Sequence, residues 1–316
     1  MSDSSVAFSI LKKNMGVKRE ECVLVVTDKN LFPLSSAFFL AAQRLTSKSR
    51  LITINIPSVD GTEPHPDVAR MMNNHDVCLL ITSKSLTHTK AREGATKRGA
   101  RIASMPGLTQ GMLKTALKEN SSTLRSINKK LNKTLSNKNT IHITTKKGTD
   151  IVFQIKGRRW IQDSGDFTKK GSKGNLPAGE IFIAPLEGTT QGTLVVDASI
   201  AGVGLLTKPV TMKFMKGKLV GISATKEGKM LSSMLKDDRY RNVAELGIGT
   251  NSKAKITGSV LEDEKALGTF HVALGNNIHF GGKVEVPFHA DSIITKPTIA
   301  ADRKLLMKEG RFVKLS

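Results

Sequence analysis

The first third of the chain alternates between continuous apolar runs and segments of helical periodicity. The apolar runs are short and rich in β-branched residues, and the segments between them place apolar residues three or four apart. We predict strands at 22–28, 50–58, 76–83 and 101–107, and helices at 31–45, 66–75 and 88–100. Continuous apolar strands separated by helices indicate a parallel sheet that is covered on both faces.

The pattern changes after this first part. Residues 110–137 predict one long basic helix, interrupted or kinked near the Ser-Ser pair. The segment 140–158 alternates apolar and polar positions around a Lys-Gly turn, which predicts a hairpin. Short strands punctuated by glycine follow, with a helix at 229–238. The predicted fold class is therefore an α/β N-terminal domain with a parallel sheet (1–110), a helical bridge (111–137) and an α+β metal-binding domain rich in antiparallel strands (138–316).

Composition narrows the classes of function. The formal net charge of +22 suggests nucleic acid, but residues 121–149 hold seven Lys or Arg and no Trp, Tyr or Phe that could stack on bases. We therefore expect nucleic acid to be at most an incidental partner at low salt. The α/β part contains no Gly-x-Gly-x-x-Gly or Walker lysine loop, so no phosphate site can be argued. No apolar run is long enough for a membrane helix, and Cys22 and Cys78 indicate buried free thiols, so we expect a cytoplasmic protein.

Acidic residues are scarce, and several of them stand in unusual places. Glu180 in NLPAGEIFIAP and Glu245 in NVAELGIGTN interrupt sequence that otherwise predicts buried strands. A carboxylate at the solvent-facing end of a strand explains either residue alone. A buried carboxylate, by contrast, must be paired with a cation or bound to a metal.

A second set of polar residues follows them in the chain. His289 and Asp291 form a His-x-Asp triplet, whose side chains share one face of a strand. Imidazole and carboxylate ligands suit zinc, manganese, cobalt or iron(II). Four carboxylates and two imidazoles are too anionic for one divalent ion, and they favour a two-metal site with a bridging Glu that activates a water. The candidate ligands are Glu180, Glu245, Glu264, His271, His289 and Asp291.

Four ordered blocks, NLPAGEIFIAP, AELGIGTN, EDEKALGTFHVALG and FHAD, resemble the signature of the aminopeptidase T family of dinuclear metallo-aminopeptidases. The resemblance covers roughly residues 170–300 strongly. It implies that these same six residues bind two zinc, cobalt or manganese ions and that Glu245 bridges them. It also implies a homodimer that releases N-terminal residues from peptides through a metal-activated water.

The chain departs from that family at three points. The family's Tyr seven residues after the third-block His is replaced here by Ile278, and the only tyrosine is Tyr240. The interval between His271 and His289 is short, and Glu264 lies seven residues before His271 where the aminopeptidases have five. The candidate catalytic residues are Glu245 and His279, which could replace the missing Tyr. An exposed turn histidine is the simpler explanation of His279.

With its short interval between His271 and His289, the chain also resembles the 2,5-dihydroxypyridine 5,6-dioxygenases of the same superfamily. That resemblance implies one iron(II) held by His271, His289 and Asp291, with open positions for oxygen and a small-molecule substrate. A metallo-aminopeptidase is the main expectation, because the three glutamates lie in recognisable blocks. The ring-cleaving dioxygenase is the alternative, and a non-catalytic protein that binds metal or polyanions is the second alternative.

Overall fold

The computed structural model describes residues 3–313. The chain forms two compact units. The first runs up to Thr123 and includes Asp163–Ala178, and the second consists of Leu124–Gln162 and the chain from Gly179 onward. Among the described residues, no helix is both long and apolar enough to cross a membrane.

The elements are numbered in chain order. The α-helices are α1 (Asp3–Ser9), α2 (Phe32–Gln43), α3 (Pro66–Asn73), α4 (Lys90–Lys97), α5 (Gln110–Lys114), α6 (Ser121–Leu135), α7 (Lys226–Met234) and α8 (Val260–Asp263). The strands are β1 (Val23–Asp28), β2 (Ser49–Ile54), β3 (Val77–Ile81), β4 (Arg101–Ser104), β5 (Thr140–Thr144), β6 (Asp150–Gln154), β7 (Ile161–Asp163), β8 (Lys173–Asn175), β9 (Glu180–Ile183), β10 (Gln191–Val196), β11 (Ser199–Ile200), β12 (Gly204–Leu205), β13 (Val210–Met215), β14 (Lys218–Ile222), β15 (Val243–Gly249), β16 (Thr269–Gly275), β17 (His289–Thr295), β18 (Thr298–Ala301), β19 (Lys304–Lys308) and β20 (Arg311–Phe312).

The first unit is built on a five-stranded sheet of order β2-β1-β3-β4-β8, in which every pairing is parallel. Every residue of β1, β3 and β4 is buried, as expected for strands that have helices on both sides. The fifth strand comes from Asp163–Ala178, a return of the chain to this unit that the predicted division at residues 110 and 137 did not include.

The second unit contains two sheets. An eight-stranded sheet has the order β14-β13-β10-β6-β5-β18-β19-β20, and a seven-stranded sheet has the order β12-β11-β17-β16-β15-β9-β7. One hydrophobic core joins them, and it also includes Leu131 and Leu135 of α6. The antiparallel pairings of this unit and the parallel sheet of the first confirm the predicted fold class.

The predicted long helix over 110–137 is broken into three pieces. α5 ends at Lys114, a 3-10 turn covers Ala116–Lys118, and α6 begins at Ser121. Thr115 lies between the first two pieces with φ −121° and ψ −104°, a conformation outside the helical region, so the hydrogen-bond ladder ends there. The predicted kink near the Ser-Ser pair is thus a complete break.

Candidate metal centre

Five of the six predicted ligands lie on one face of four adjacent strands. Glu180 begins β9, Glu245 lies in β15, His271 in β16, and His289 and Asp291 in β17. The register pairs Glu180 with Gly249, Glu245 with Ala273, and Ala273 with Asp291. Directly paired residues and alternate residues along a strand share a face of a sheet. Side chains up to 111 positions apart in sequence therefore meet at one place.

Gly247 makes room for the imidazole of His271. The two residues are paired across β15 and β16, and a Cβ atom on Gly247 would lie 2.0 Å from His271 Nε2. Real Cβ contacts are never so short, so any larger residue here would displace the ring. Gly247, the first glycine of AELGIGTN, therefore contributes to the shape of the cluster, and no feature of the sequence pointed to it.

The ligand atoms form two groups that share Glu245. In one, His271 Nε2 lies 3.4 Å from Glu180 Oε2 and 3.4 Å from Glu245 Oε1. In the other, His289 Nε2 lies 3.4 Å from Glu245 Oε2 and 3.6 Å from Asp291 Oδ2. His271 is fully buried, whereas 31% of the His289 side chain is exposed. His289 therefore marks the open side of the cluster.

The carboxylates control the protonation of both imidazoles. Burial alone lowers the pKa of His271, but the hydrogen bond to Glu245 and the charges of Glu180, Glu245 and Asp291 raise it to about 9. Burial likewise opposes the charged form of His289, yet Asp291 and Glu245 raise its pKa well above the ordinary value. Without a metal, the site therefore holds protons where an ion would bind.

The pKa values of the carboxylates are shifted in opposite directions. Burial raises the pKa of Glu245 and of Asp291, but the two histidines outweigh it, so both values are lowered, that of Asp291 to about 2. Burial dominates at Glu264, where the negative charges of Asp291 and Glu180 add to it, and its pKa is raised to about 8 although Lys265 lies beside it. Glu245 and Asp291 are thus the firmly ionised members of the cluster.

The sixth predicted ligand, Glu264, contacts a residue that the sequence analysis missed. It follows α8, and its Oε1 accepts a hydrogen bond of 2.6 Å from Lys265 Nζ. The same Nζ donates to Glu180 Oε1 over 2.5 Å. Only 1% of Lys265 is exposed. The signal in the sequence is a lysine directly after a candidate ligand and before the apolar residues of EDEKALGTFH.

Helix α6 is hydrogen-bonded to β9, the strand that carries Glu180. The side chain of Asn128 is fully buried; its Nδ2 donates to the backbone oxygen of Glu180 over 2.9 Å, and its Oδ1 accepts from Thr250 Oγ1 over 2.9 Å. The helix that carries the basic residues thus also fixes the backbone of β9. No spacing rule connects Asn128 with Glu180 in the sequence.

Aromatic rings border the open side. Phe280 stands edge-on to the His289 ring, with centroids 5.8 Å apart, and edge-on to Phe182 at the same separation. Both phenylalanines are half-buried. Ile278 and His279 lie with Phe280 on a 3-10 turn, and both are exposed. His279 is in neither ligand group found among residues 3–313, so its catalytic role stays a prediction.

The donor set fits a metal ion. Separations of 3.4 to 3.6 Å are long for hydrogen bonds, but they suit two donors that share one ion at about 2.0 to 2.2 Å each. Glu180 Oε2 is buried without a hydrogen-bond partner, although it faces His271. A buried acceptor with no donor and two imidazoles aimed at carboxylates are an arrangement that a cation would complete.

Known proteins resemble this chain along most of its length. The family model described as 2,5-dihydroxypyridine 5,6-dioxygenase matches residues 7–314. The enzyme of that name from Pseudomonas putida KT2440 is 24% identical over 253 residues, which cover 74% of this chain and 71% of the relative.

Two solved structures share the fold. The 2,5-dihydroxypyridine dioxygenase from Pseudomonas putida KT2440 has a TM-score of 0.82 at 21% identity and covers 99% of this chain and 98% of its own. Wild-type AmpT from Thermus thermophilus has a TM-score of 0.72 at 16% identity, with 99% of both chains covered. At such identities the two likenesses show the fold alone.

Fold and site together define a two-domain enzyme with a buried carboxylate and imidazole cluster suited to metal. The chain belongs to the 2,5-dihydroxypyridine 5,6-dioxygenase family, because that family's model matches nearly all of it. The main expectation of a metallo-aminopeptidase, and with it the hydrolase and protease classes, is therefore wrong. The sequence blocks misled because the two kinds of protein share this fold, as the likeness to AmpT shows. The relation to the dioxygenases is confirmed.

Proposed function

We propose that the protein is an iron(II)-dependent dioxygenase that opens a hydroxylated aromatic ring of the dihydroxypyridine class. The observation that carries the proposal is the placement of two imidazoles and one carboxylate, His271, His289 and Asp291, on one face of β16 and β17. Two histidines and one carboxylate are the ligand set of many non-haem iron oxygenases. The family to which the chain belongs supports the substrate class.

In this proposal, His271 Nε2, His289 Nε2 and an Asp291 oxygen hold the iron. His271 belongs to one ligand group and the other two to the second, so binding would draw the two groups together at Glu245, which they share. Iron(II) bound there would supply open positions for dioxygen and for a ring hydroxyl, and it would pass electrons between them. Gly247 keeps the His271 ring in place by leaving it space. The backbone oxygen of Asn276 lies 3.0 Å from His289 Nδ1, so it can fix the orientation of this second ring.

Glu245 is the candidate base. Its two oxygens face the Nε2 atoms of the two histidines, and its pKa is lowered, so it is ionised at neutral pH. A carboxylate at this position can accept the proton that a ring hydroxyl loses when the substrate binds. Its burial keeps it from being fully hydrated, which strengthens that interaction.

The aromatic border supports a flat substrate. Phe280 is half-buried beside His289, the proposed ligand with the most exposed side chain, and Phe182 packs against Phe280. The Phe280 ring can therefore contact a ring that enters from the open side. Aromatic rings prefer offset or edge-to-face packing on one another, and this adds to the area that the substrate buries.

The test uses protein that has been freed of metal and then loaded with ferrous iron without oxygen. With 2,5-dihydroxypyridine and dioxygen, we expect loss of the ring absorbance, matching oxygen uptake, and both atoms of isotopically labelled dioxygen in the ring-opened product. His289→Ala and Asp291→Ala should lower the rate by more than about 100-fold. This exceeds the usual effect of removing a residue that only hydrogen-bonds to a metal ligand.

His142→Ala is the matched control. His142 is exposed on β5 in the other sheet of the same unit and pairs with Asp150, so its removal should leave the rate within about two-fold of wild type. Full activity in Asp291→Ala would refute the proposed ligand set. Bound iron without any ring opening across hydroxylated pyridines would favour a non-catalytic metal-binding protein.

A further inference from the structure

Lys265 is the one lysine among the largest fully buried side chains of the described chain. A buried ammonium group is costly unless carboxylates neutralise it and accept its hydrogen bonds. Both conditions hold here, because Nζ donates to Glu180 Oε1 over 2.5 Å and to Glu264 Oε1 over 2.6 Å. These are two of the three glutamates that a two-metal site would require.

The position of this ammonium group connects it directly to the metal ligands. Glu180 uses Oε1 for Lys265, while its Oε2 faces His271 Nε2 at 3.4 Å. The lysine charge is therefore separated from a predicted iron ligand by a single carboxylate. Of the two ligand groups, the one formed by Glu180, Glu245 and His271 is therefore joined to the lysine through Glu180. The other is formed by Glu245, His289 and Asp291.

We propose that Lys265 takes the place of a second metal ion and thereby limits the centre to one. An ion on Glu180 Oε1 or Glu264 Oε1 with a bond of about 2.1 Å would lie within about 4.7 Å of Nζ. At that distance a divalent cation and a buried ammonium repel each other strongly, because little water screens them. Both oxygens are also already occupied by short charge-assisted hydrogen bonds.

This inference rests on the proposed function, because it assumes that His271, His289 and Asp291 bind a metal. Its consequence is that the number of bound ions decides which reaction the site can catalyse. A two-metal hydrolase needs two cations side by side, whereas a centre with one ion and an ammonium group keeps a single ion with open positions. Lys265 acts through Glu180 and Glu264, so it is a positioning residue.

The experiment counts ions. Metal-free wild type and variants are equilibrated with Mn²⁺ alone, bound metal per chain is measured by mass spectrometry, and electron paramagnetic resonance reports whether bound ions couple. We expect one uncoupled ion in wild type and in Lys265→Arg, which keeps the charge. Lys265→Ala should bind two coupled ions, a change from one to two.

A second variant guards against misfolding. Lys265→Ala leaves Glu180 and Glu264 without their cation, whereas Lys265→Met combined with Glu264→Gln removes one positive and one negative charge together. We expect this double variant to show the circular dichroism of wild type and to bind two ions through Glu180, Glu245 and the histidines.

The results that would overturn the role of Lys265 differ from those that would overturn the proposed metal site. Two ions in wild type, or a folded double variant that still binds one, overturns the role of Lys265 and leaves the ligand set intact. No ion in wild type, or a count that His289→Ala leaves unchanged, overturns the metal site of the proposed function itself.

Discussion

His271 shows how single residues set the properties of this centre. Its ring is fully buried, three carboxylates surround it, and a glycine on the neighbouring strand leaves the space that it fills. Each neighbour acts differently: the carboxylates hold a proton or attract a metal, and the glycine fixes the direction of Nε2. The chemistry therefore depends on a residue without a side chain as much as on the ligands.

Gly247→Ala tests that dependence. The new methyl group would collide with His271 Nε2, so we expect the ring to turn away and Mn²⁺ affinity to fall by at least about ten-fold. Overpacking should also lower the free energy of unfolding by about 1 to 3 kcal/mol. Equilibrium dialysis and denaturant unfolding measure both effects.

Gly221→Ala is the control for the backbone change. Gly221 lies in β14 of the other sheet, and the nearest atom to its added Cβ would be Lys213 Cβ at an ordinary 3.7 Å. Its metal affinity should equal that of wild type. Unchanged metal affinity in Gly247→Ala would mean that the collision is relieved without moving the ring.

Proton competition predicts the pH dependence of metal binding. The pKa of His271 is raised to about 9 in the metal-free protein, so an ion must displace its proton at lower pH. Affinity for Mn²⁺ should rise about ten-fold per pH unit for each proton displaced, from about pH 6.5 to about pH 9. Calorimetry in buffers of different ionisation enthalpy counts the protons released.

The stability of the metal-free protein should change in the opposite direction. A raised pKa in the folded state stabilises it fully below the unfolded value of 6.5, and this contribution is lost as pH rises through about 9. Metal-free protein should therefore lose stability over that window. A flat unfolding free energy across it would show that His271 is not protonated beside its carboxylates.

At the scale of elements, the site depends on a helix that contributes no ligand. Asn128 of α6 binds the backbone of Glu180 and the hydroxyl of Thr250, the residue that follows β15. One side chain thus holds the ends of two site strands in register. The helix begins at Ser121, after the break at Thr115, so it does not continue α5.

Asn128→Ala tests this link. It leaves a buried carbonyl and a buried hydroxyl unpaired, so the free energy of unfolding should fall by roughly 2 to 4 kcal/mol. Asn132→Ala, a half-buried position in the next turn of the same helix, should stay within about 0.5 kcal/mol of wild type. Urea unfolding compares them, and equal losses would contradict the role of Asn128.

At the scale of the whole molecule, metal should stabilise the fold. The proposed ligands lie on β16 and β17, and the carboxylates of Glu245 and Glu180 come from β15 and β9, so the unfolded chain does not offer the site. Binding only to the folded state should add about 2.7 kcal/mol at an ion concentration of 100 times Kd. Thermal unfolding with Mn²⁺ and with a chelator measures the gain, and Asp291→Ala should abolish it.

Net charge and assembly belong to this scale as well. The formal net charge of +22 favours weak binding of polyanions that salt suppresses. That nucleic acid is at most an incidental partner stays a prediction. The homodimer and the cytoplasmic location stay predictions; light scattering in solution would decide the first.

The sequence by itself determined the fold class and pointed to the cluster. Apolar periodicity marks the buried strands, and a charged residue inside such a strand is conspicuous, so Glu180, Glu245 and the His-x-Asp triplet could be found locally. The tertiary structure decided what these residues contact. The ammonium of Lys265 meets Glu180 across 85 positions, Gly247 faces His271 across a sheet, and Asn128 reaches β9 from a helix. Such contacts depend on register and packing between distant segments, and no local pattern encodes them, because the energy of burying a charge is fixed only when its partner is in place.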